Sequence, residues 1–286
     1  MCRLLAYKGP SVILDDLLYE SEHSIIKQSY NAMEMDEPLN GDGFGVGWYA
    51  RTLSPEPAVF ASVRPAWNNQ NLQYMAPKIE SDCVFAHVRS ASVGSVNKLN
   101  CHPFHHKNFL MMHNGGIENF EEIRRPLLAM LSDARFRDIK GQTDSEHIFA
   151  LFLNHLDQLN DTSNLRHYRD ALKHTVDDIV ELKQQYGLQA ASSLNLLITD
   201  GSRMIGSRLV TDSNEKPLSL HYATGHRFEC QDSMLTIQGD PEEGAQHKAV
   251  LIASERLNEH AQNWQDIPAN HYFSIDSGGT ITVTSA

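Results

Sequence analysis

Short apolar segments recur along both halves of the chain, and β-branched and aromatic residues are frequent in them. Clusters of Gly, Asn, Asp and Ser separate the segments, as at 40–43, 200–201 and 277–279. Several of the spacings between segments are those of hairpins, which predicts antiparallel pairing. The predicted strands lie at 2–7, 44–49, 83–88, 109–113, 194–199, 204–210, 233–237, 249–253, 271–275 and 280–283.

The middle of the chain changes from strand-like to helical periodicity. Between 144 and 159 apolar residues recur at intervals of three and four, which predicts an amphipathic helix. Thr143 is the expected N-cap of this helix, and Glu146, three residues later, would complete a capping box. A second apolar stripe from 165 to 182 predicts another long helix, and two shorter helices are predicted at 13–28 and 117–131.

The order of these elements bears on the fold class. Helices do not alternate one for one with strands, which disfavours a doubly wound α/β fold. The order favours an α+β fold in which sheets and helices form the layers of a sandwich. The chain shows no internal repeat, and the polar stretch at 161–164 is too short to link two domains. We therefore expect one domain over residues 1–286.

Composition and charge exclude several classes of function. The 286 residues carry a formal net charge of -12, which disfavours binding to nucleic acids and to anionic membranes. No apolar run approaches the ~18 residues of a membrane span, and residues 1–10 lack a signal-peptide pattern. Four scattered cysteines without CxxC spacing predict free thiols in a reducing compartment, so we expect a cytoplasmic protein.

Cys2 is the first residue with candidate chemistry. Removal of Met1 would leave a thiol and an α-amine on the same residue, and such an amine has a pKa of roughly 7.7 to 8.0. The neutral amine can take the thiol proton, directly or through a water molecule, and so create a nucleophilic thiolate. The alternative is that Cys2 is an ordinary small residue at the start of the first strand.

Three further motifs could complete a site for acyl transfer. Arg89 ends an apolar strand and can offer a planar guanidinium to a carboxylate. Asn114 and Gly115 also follow an apolar strand, and they can supply the side-chain and backbone donors of an oxyanion hole. Asp144, at a helix start, can pair with an amine. Taken singly, each motif has a commoner explanation: a surface salt bridge, a tight turn and helix capping.

A histidine-rich segment raises the alternative of a zinc site. Its residues are Cys101, His102, His105, His106 and His113. Their spacing matches no standard zinc finger, and Pro103 and Phe104 interrupt it. A metal site is therefore not favoured by the sequence.

In combination and in order, these motifs resemble those of the class II glutamine amidotransferases, a branch of the N-terminal-nucleophile (Ntn) hydrolases. The segments that carry the resemblance are MCRLL at 1–5, GFGVGW at 43–48, HVR at 87–89, NCHPF at 100–104, HNG at 113–115, TDSE at 143–146 and IASE at 252–255. The first and the last of these resemble the small stand-alone, YafJ-like members. Together the segments span nearly the whole chain.

The resemblance implies a four-layer αββα sandwich of the Ntn-hydrolase type, with two antiparallel sheets facing each other. It also implies hydrolysis of the side-chain amide of glutamine or of a γ-glutamyl compound through a thioester on Cys2. Asn114 and the Gly115 N–H would hold the oxyanion. Arg89 would bind the substrate α-carboxylate, and Asp144 would bind its α-ammonium group.

The resemblance also bears on processing, cofactors and partners. An amide nitrogen at Cys2 cannot act as a base, so active protein is expected to lack Met1. No metal or organic cofactor is expected. The substrate would be a small molecule, and a separate subunit would accept ammonia. The alternative is a γ-glutamyl hydrolase of the ergothioneine-pathway type, without ammonia transfer. A non-catalytic binding protein with the same fold is a remote alternative, since all four catalytic elements are present.

One segment departs from the pattern of the family's fused members. Enzymes joined to sugar-phosphate synthases usually carry Trp after the arginine and Thr-His shortly beyond. Here those positions hold Ser90, Ser92 and Val93. We therefore expect a different loop over the substrate, and strict specificity for glutamine does not follow from the resemblance.

Overall fold

Two antiparallel β-sheets form the centre of the protein in the computed structural model. The structure describes residues 2–34, 39–90, 94–159, 164–212, 214–231, 234–238, 249–258 and 264–286. The strands, numbered in chain order, are β1 (Arg3–Ile13), β2 (Phe44–Trp48), β3 (Ala58–Ser62), β4 (Glu80–Val88), β5 (Phe104–His106), β6 (Phe109–Gly116), β7 (Ser193–Thr199), β8 (Met204–Val210), β9 (His221–Gly225), β10 (Arg227–Gln231), β11 (Met234–Gln238), β12 (Ala249–Ala253), β13 (Gln265–Asp266), β14 (His271–Ile275) and β15 (Ile281–Ser285).

The strand order places the start of the chain inside a sheet. Sheet A has the order β13-β9-β12-β1-β4-β2-β3, and sheet B has the order β15-β14-β8-β7-β6-β5. Strands β10 and β11 pair with each other in a small separate sheet. The pairings among the described strands are antiparallel, as the hairpin spacings predicted. Because β1 lies between β4 and β12, both of its edges are hydrogen-bonded.

The α-helices of the described residues are α1 (Ile25–Gln28), α2 (Gln70–Met75), α3 (Phe120–Met130), α4 (Asp133–Asp138), α5 (Asp144–Asp157) and α6 (Leu165–Gln185). The long helices α5 and α6 lie where the apolar stripes predicted them. Thr143 caps α5 as predicted, since its hydroxyl accepts a hydrogen bond from the Glu146 N–H. The other half of the predicted capping box is wrong. The Glu146 carboxylate instead accepts from the N–H groups of Lys140 and Gly141.

Three buried hydrophobic clusters separate four layers. The cluster between the sheets joins Leu4 of β1 to Met112 of β6. A second cluster packs Met111 of β6 against Phe152 of α5, on the outer face of sheet B. The third packs Leu5 of β1 against the short helices outside sheet A. The layers are therefore helix, sheet, sheet and helix. This confirms the predicted α+β sandwich with two antiparallel sheets.

The predicted helix at 13–28 is wrong. Strand β1 continues to Ile13, where it pairs with Glu80 of β4. A π-helical turn (Asp16–Glu20) and the one-turn helix α1 follow. The Ser24 hydroxyl accepts a hydrogen bond from the Lys27 N–H and so starts α1 as a separate element. Serine side chains compete for backbone groups in this way, and that competition interrupts an apolar pattern that otherwise fits a helix.

No helix in the described segments is both long enough and apolar enough to cross a membrane.

Candidate active site

Cys2 precedes β1 at one end of the sandwich. Side chains alternate along a strand, and Leu4 and Ala6 point into the layer between the sheets. By the same alternation Cys2 lies on the face of sheet A that looks toward sheet B. The neighbouring strand β4 ends beside it, because Arg3 pairs with Val88. The end of β4 therefore brings Arg89 and Ser90 to the nucleophile candidate.

The Cys2 thiol lies against the backbone of Ser90. Its Sγ atom is 3.4 Å from the Ser90 carbonyl oxygen and 3.4 Å from the Ser90 nitrogen. The Ser90 N–H can donate to a thiolate, while the carbonyl can accept from the neutral thiol. Burial raises the pKa of the Cys2 thiol, and the Ser90 N–H and the positive charges of Arg89 and Arg3 act in the opposite direction.

Asn114 lies on β6, on the opposite sheet, with its side chain directed into the same layer. It alternates with Leu110 and Met112, which belong to the cluster between the sheets. Asn114 is fully buried, and neither its side-chain nitrogen nor its oxygen has a hydrogen-bond partner among the described residues. Such atoms are rare in folded proteins and call for an explanation. A ligand oxygen would provide the missing acceptor for the amide N–H.

Gly115 follows Asn114 with a backbone conformation that favours glycine. Its φ angle is +144°, and a Cβ atom at this position would lie 2.0 Å from the Ser193 carbonyl oxygen. A side chain would therefore strain the backbone and collide with β7. The glycine leaves the backbone next to Asn114 open to a ligand.

Asp144 is the first residue of α5, and three donors hold its carboxylate. Its Oδ2 accepts from the Ile117 N–H at 2.7 Å, and its Oδ1 accepts from the Ser145 N–H at 2.8 Å and the Ser145 hydroxyl at 3.3 Å. The side chain is only 3% exposed. These bonds fix the orientation of the carboxylate, and the N-terminus of a helix favours its negative charge.

Arg89 is also buried, although it follows the last residue of β4. One of its guanidinium nitrogens, Nη1, donates to the Ser95 carbonyl oxygen at 3.2 Å. The same carbonyl accepts from the side chain of Asn100. This segment therefore holds the guanidinium near the start of α5. Ser92 and Val93, which the sequence singled out, lie outside the described residues.

The predicted residues meet around one small cavity. Four of the five predicted residues line it: Cys2, Arg89, Gly115 and Asp144. The other lining residues are Ser90, His102, His113, Thr143 and Ser145. Asn114 does not line the cavity itself but lies next to Gly115. The cavity measures about 20 Å³, room for about one water molecule. A glutamyl group therefore requires the site to widen.

Three neutral histidines surround the site. Burial lowers the pKa of His87 to about 3, and it also lowers the pKa values of His102 and His113. The rings of His87 and His102 are 4.2 Å apart. The two ring nitrogens of His113 contact the Ser145 hydroxyl and the Ser193 carbonyl oxygen, each at 3.0 Å. These histidines pack and orient neighbouring groups near neutral pH and carry no charge there.

The histidine-rich segment does not assemble a set of metal ligands. Within the described ranges, no group of three or more His, Cys, Asp or Glu side chains is placed to hold a metal ion. His106 bonds instead to Arg135 at 2.8 Å. All four cysteines fall in described segments, and each is a free thiol.

A wider cavity of about 570 Å³ lies beside the site. Cys101, Pro103 and Glu146 are among its lining residues, which are chain neighbours of residues in the narrow cavity. None of the five predicted site residues lines it. The candidate catalytic residues therefore lie around the narrow cavity and not around the wider one.

Several residues at the site were not predicted from the sequence. The role of Ser90 is carried by its backbone, which leaves no signal in the residue type. Arg3 and Glu255 belong to segments that carried the resemblance, yet no role was assigned to them. In the structure they form a buried ion pair next to Cys2.

Comparisons with known proteins identify the family of the chain. The family model described as "Glutamine amidotransferases class-II" matches residues 23–286. The probable glutamine amidotransferase DUG3 of Saccharomyces cerevisiae is 38% identical, over 96% of this chain and 82% of that protein. The γ-glutamyl-hercynylcysteine sulfoxide hydrolase of Mycobacterium tuberculosis is 25% identical, over 100% of this chain and 97% of that protein.

A solved structure gives the same answer for the fold. The glutamine aminotransferase class-II domain protein of Silicibacter pomeroyi superposes with a TM-score of 0.68. The match has 22% identity and covers 99% of this chain and 97% of that one. The matched family model and the yeast relative extend the likeness from fold to family. The chain therefore belongs to the class II glutamine amidotransferases, which makes it an enzyme of the amidohydrolase type.

Proposed function

We propose that this protein hydrolyses the side-chain amide of glutamine or of a γ-glutamyl compound, with Cys2 as the nucleophile. The observation that carries the proposal is the meeting of Cys2, Arg89, Gly115 and Asp144 around one cavity. Beside it lies the Asn114 amide, which has no hydrogen-bond partner in the part of the chain that the structure describes. Each of these residues has a commoner explanation when taken alone. Their convergence from four separate parts of the chain has none.

In this proposal the substrate is held by its α-amino acid end. The Arg89 guanidinium pairs with the α-carboxylate, and the Asp144 carboxylate pairs with the α-ammonium group. Both side chains are buried, so these charge-assisted bonds form away from bulk water. The side-chain amide of the substrate then extends toward Cys2.

The chemistry begins when the Cys2 α-amine takes the thiol proton. The thiolate attacks the amide carbon, and the oxygen of the tetrahedral intermediate accepts hydrogen bonds from the Asn114 amide and the Gly115 N–H. The C–N bond breaks, and the α-ammonium group returns its proton to the leaving amine. Water then attacks the thioester, with the α-amine again as base, and releases glutamate. This sequence requires that Met1 has been removed.

The fate of the leaving group is part of the same proposal. A separate subunit accepts ammonia when glutamine is the substrate. The relative from M. tuberculosis is named as a hydrolase of a γ-glutamyl compound, and this suggests that larger γ-glutamyl amides should be tested as well. A free thiol nucleophile suits a reducing compartment, so we place the enzyme in the cytoplasm.

We also propose that residues 1–286 form one type-2 glutamine amidotransferase domain. Strand β1, near the start of the chain, pairs with β12, near its end. The Leu4 N–H donates to the hydroxyl of Ser254, 250 positions further along. Contacts of this span support a single folded unit.

The proposal is tested by labelling and turnover of the isolated protein. Protein lacking Met1 is treated with 6-diazo-5-oxo-norleucine, a glutamine-like electrophile, and analysed by intact mass. We expect one adduct, on Cys2, and none in Cys2→Ala. Cys2→Ala should also lose γ-glutamyl amide hydrolysis to below a few per cent of wild type, with its thermal unfolding nearly unchanged.

The matched control is Cys230→Ser, which alters a partly exposed thiol on β10. This variant should keep its turnover. Glutamine and γ-glutamyl peptides are compared as substrates, and a strong preference for the peptides would favour the hydrolase without ammonia transfer. Full activity of protein that quantitatively retains Met1 would exclude the α-amine as base.

A further inference from the structure

A buried ion pair lies directly behind the nucleophile. Arg3 is fully buried and Glu255 is only 2% exposed. The Arg3 Nε atom donates to Glu255 Oε2 at 3.2 Å. Removing charges from water in this way costs free energy that a surface pair would not. A pair of this kind contributes little to stability, so a functional role is worth testing.

The same guanidinium also reaches back to the nucleophile residue. Arg3 Nη1 donates to the Cys2 carbonyl oxygen at 3.1 Å. The planar fork of arginine can serve two acceptors at once in a fixed geometry, which an ammonium cannot do. Arg3 therefore ties the backbone of Cys2 to Glu255.

Glu255 is itself held from several directions. Its carboxylate accepts from the Met33 N–H at 2.8 Å and from the Glu34 N–H at 3.3 Å. Its carbonyl oxygen accepts from the Gln28 side chain at 3.3 Å. The carboxylate that orients Arg3 is therefore anchored to the segment that follows α1.

Ser254, the residue before Glu255, is hydrogen-bonded to Leu4 of β1. The Leu4 N–H donates to the Ser254 hydroxyl at 3.0 Å, and the Ser254 N–H donates to the Leu4 carbonyl oxygen at 3.1 Å. The segments MCRLL and IASE, which were singled out in the sequence, thus meet at the start of β1. Of these contacts, the hydrogen bond from Arg3 reaches the backbone of Cys2.

We propose that the Arg3–Glu255 pair is a positioning device for the reaction, a role that rests on the proposed function of Cys2. Glu255 orients the guanidinium, and Arg3 fixes the Cys2 backbone so that the thiol and the α-amine start each cycle from one geometry. The guanidinium also keeps a positive charge near the thiolate as it forms. Neither Arg3 nor Glu255 lines the narrow cavity, so both would act through Cys2.

The first test is Arg3→Lys, which keeps the charge but loses the fork. We expect kcat for the best γ-glutamyl substrate to fall about 10-fold to 100-fold, as displacements near 1 Å do in active sites. KM should stay within about twofold, because the groups that bind the substrate are untouched. A kcat within twofold of wild type would overturn the proposal.

Arg135→Lys is the matched control. Arg135 is also buried, and it bonds to both carboxylate oxygens of Asp157, at 2.6 and 2.7 Å. Asp157 ends the 14-residue helix α5, about 20 Å from Asp144. This variant should lower thermal stability and leave kcat unchanged. Equal losses of kcat in both variants would mean that only general stability is involved, against the proposal.

A double variant separates positioning from folding. Arg3→Met leaves the Glu255 charge buried without its partner and should destabilise the protein. Combining Arg3→Met with Glu255→Gln removes both charges and should restore part of the thermal stability. We expect kcat to stay low in the double variant, because the Cys2 carbonyl has still lost its donor. Recovery of kcat together with stability would show a purely structural pair.

A readout without substrate keeps this test separate from the proposed function. The rate at which iodoacetamide alkylates Cys2 is followed by peptide mass as a function of pH. Removing the nearby positive charge in Arg3→Met should raise the pH midpoint of this rate, and Arg135→Lys should not shift it. An unchanged midpoint in Arg3→Met would contradict the proposal even if no γ-glutamyl amide were turned over.

Discussion

At the scale of single residues, Asn114 has an unusual environment. Its side-chain amide is buried, and neither end is hydrogen-bonded to any residue that the structure describes. Such a group costs about 1 to 3 kcal/mol of folding free energy. Arg89 and Asp144, by contrast, are held by neighbours in the free protein. In the proposed reaction, Arg89 and Asp144 meet charges that do not change, whereas Asn114 meets an oxygen that becomes charged only in the transition state.

This difference predicts opposite kinetic effects. Asn114→Ala should lower kcat by about 10² to 10³, as for other oxyanion donors, without loss of thermal stability. Arg89→Ala and Asp144→Asn should act mainly by raising KM. Arg89→Lys should rescue Arg89→Ala poorly, because an ammonium lacks the fork. Steady-state kinetics of these variants decide the matter. If Asn114→Ala changed only KM, Asn114 would not be a donor to the oxyanion.

Gly115 and Gly187 form a matched pair for a second prediction. Both have positive φ, but a Cβ on Gly187 would meet no atom within 4 Å, whereas one on Gly115 would strike Ser193. Both alanine variants carry the cost of backbone strain, and only Gly115→Ala adds a collision. The temperature of thermal unfolding should therefore fall further in Gly115→Ala than in Gly187→Ala. Only Gly115→Ala should lose activity. Equal stability losses would mean that β7 gives way at no cost.

The residue types of the site could be read from the sequence, but their surroundings could not. Cys2, Arg89 and Asn114 were identifiable because their motifs occur in a characteristic order. The Ser90 backbone and the burial of Asn114 were not, because both depend on how β4 and β6 are placed by tertiary packing. The roles of these residues stay predictions.

At the scale of elements, the site depends on how strands end and how α5 begins. Strand β4 ends at Val88 beside Cys2, and α5 begins with the carboxylate that faces them. Thr143 fixes this start through its hydrogen bond from the Glu146 N–H. Asn164 caps α6 in a similar way by accepting from the Arg166 N–H at 2.9 Å, but α6 contributes no residue to the narrow cavity.

The two caps give the third prediction. Thr143→Ala and Asn164→Ala should each lower the free energy of unfolding by about 1 kcal/mol. Only Thr143→Ala should also raise KM, because a frayed first turn of α5 misplaces Asp144. Denaturant unfolding and steady-state kinetics of both variants measure the two effects. A rise of KM in Asn164→Ala would trace the effect to overall stability.

Strands and long helices were predictable because their periodicity reflects burial on one or both faces. Strands β3, β5, β9, β10 and β13 were not predicted. Of these, β3 is an edge strand whose residues are only partly buried, so its apolar signal is weak. The helix predicted at 13–28 was wrong because pairing with β4 extends β1 past a register shift near Pro10. A proline at such an irregularity is compatible with a strand, and sequence alone does not reveal the partner.

At the scale of the whole molecule, the buried histidines link stability to pH. His87, His102 and His113 all have pKa values lowered by burial, that of His87 to about 3. Above a pH of about 6.5 they are neutral in both the folded and the unfolded protein. Below it the unfolded chain binds protons that the folded protein does not. The contribution of these histidines to the free energy of unfolding therefore falls as the pH falls.

This linkage gives the fourth prediction. Between pH 6.5 and about 3, His87 alone should contribute a slope of up to about 1.4 kcal/mol per pH unit. His87→Gln should make the measured slope shallower, whereas replacing the exposed His105 with Asn should leave it unchanged. Denaturant unfolding at half-unit pH steps gives the slopes. A slope that His87→Gln leaves intact would assign the pH dependence to other groups.

The position of β1 between β4 and β12 also affects the timing of synthesis. Leu4 of β1 bonds to Ser254, which lies 250 positions later in the chain. The ribosome needs roughly 12 to 50 s to translate the residues between them. During that interval β1 lacks one of its two neighbouring strands. In the folded protein Cys2 is partly buried against Ser90, which follows β4. If Cys2 is the nucleophile, as proposed, we therefore expect that Met1 is removed most readily from the nascent chain.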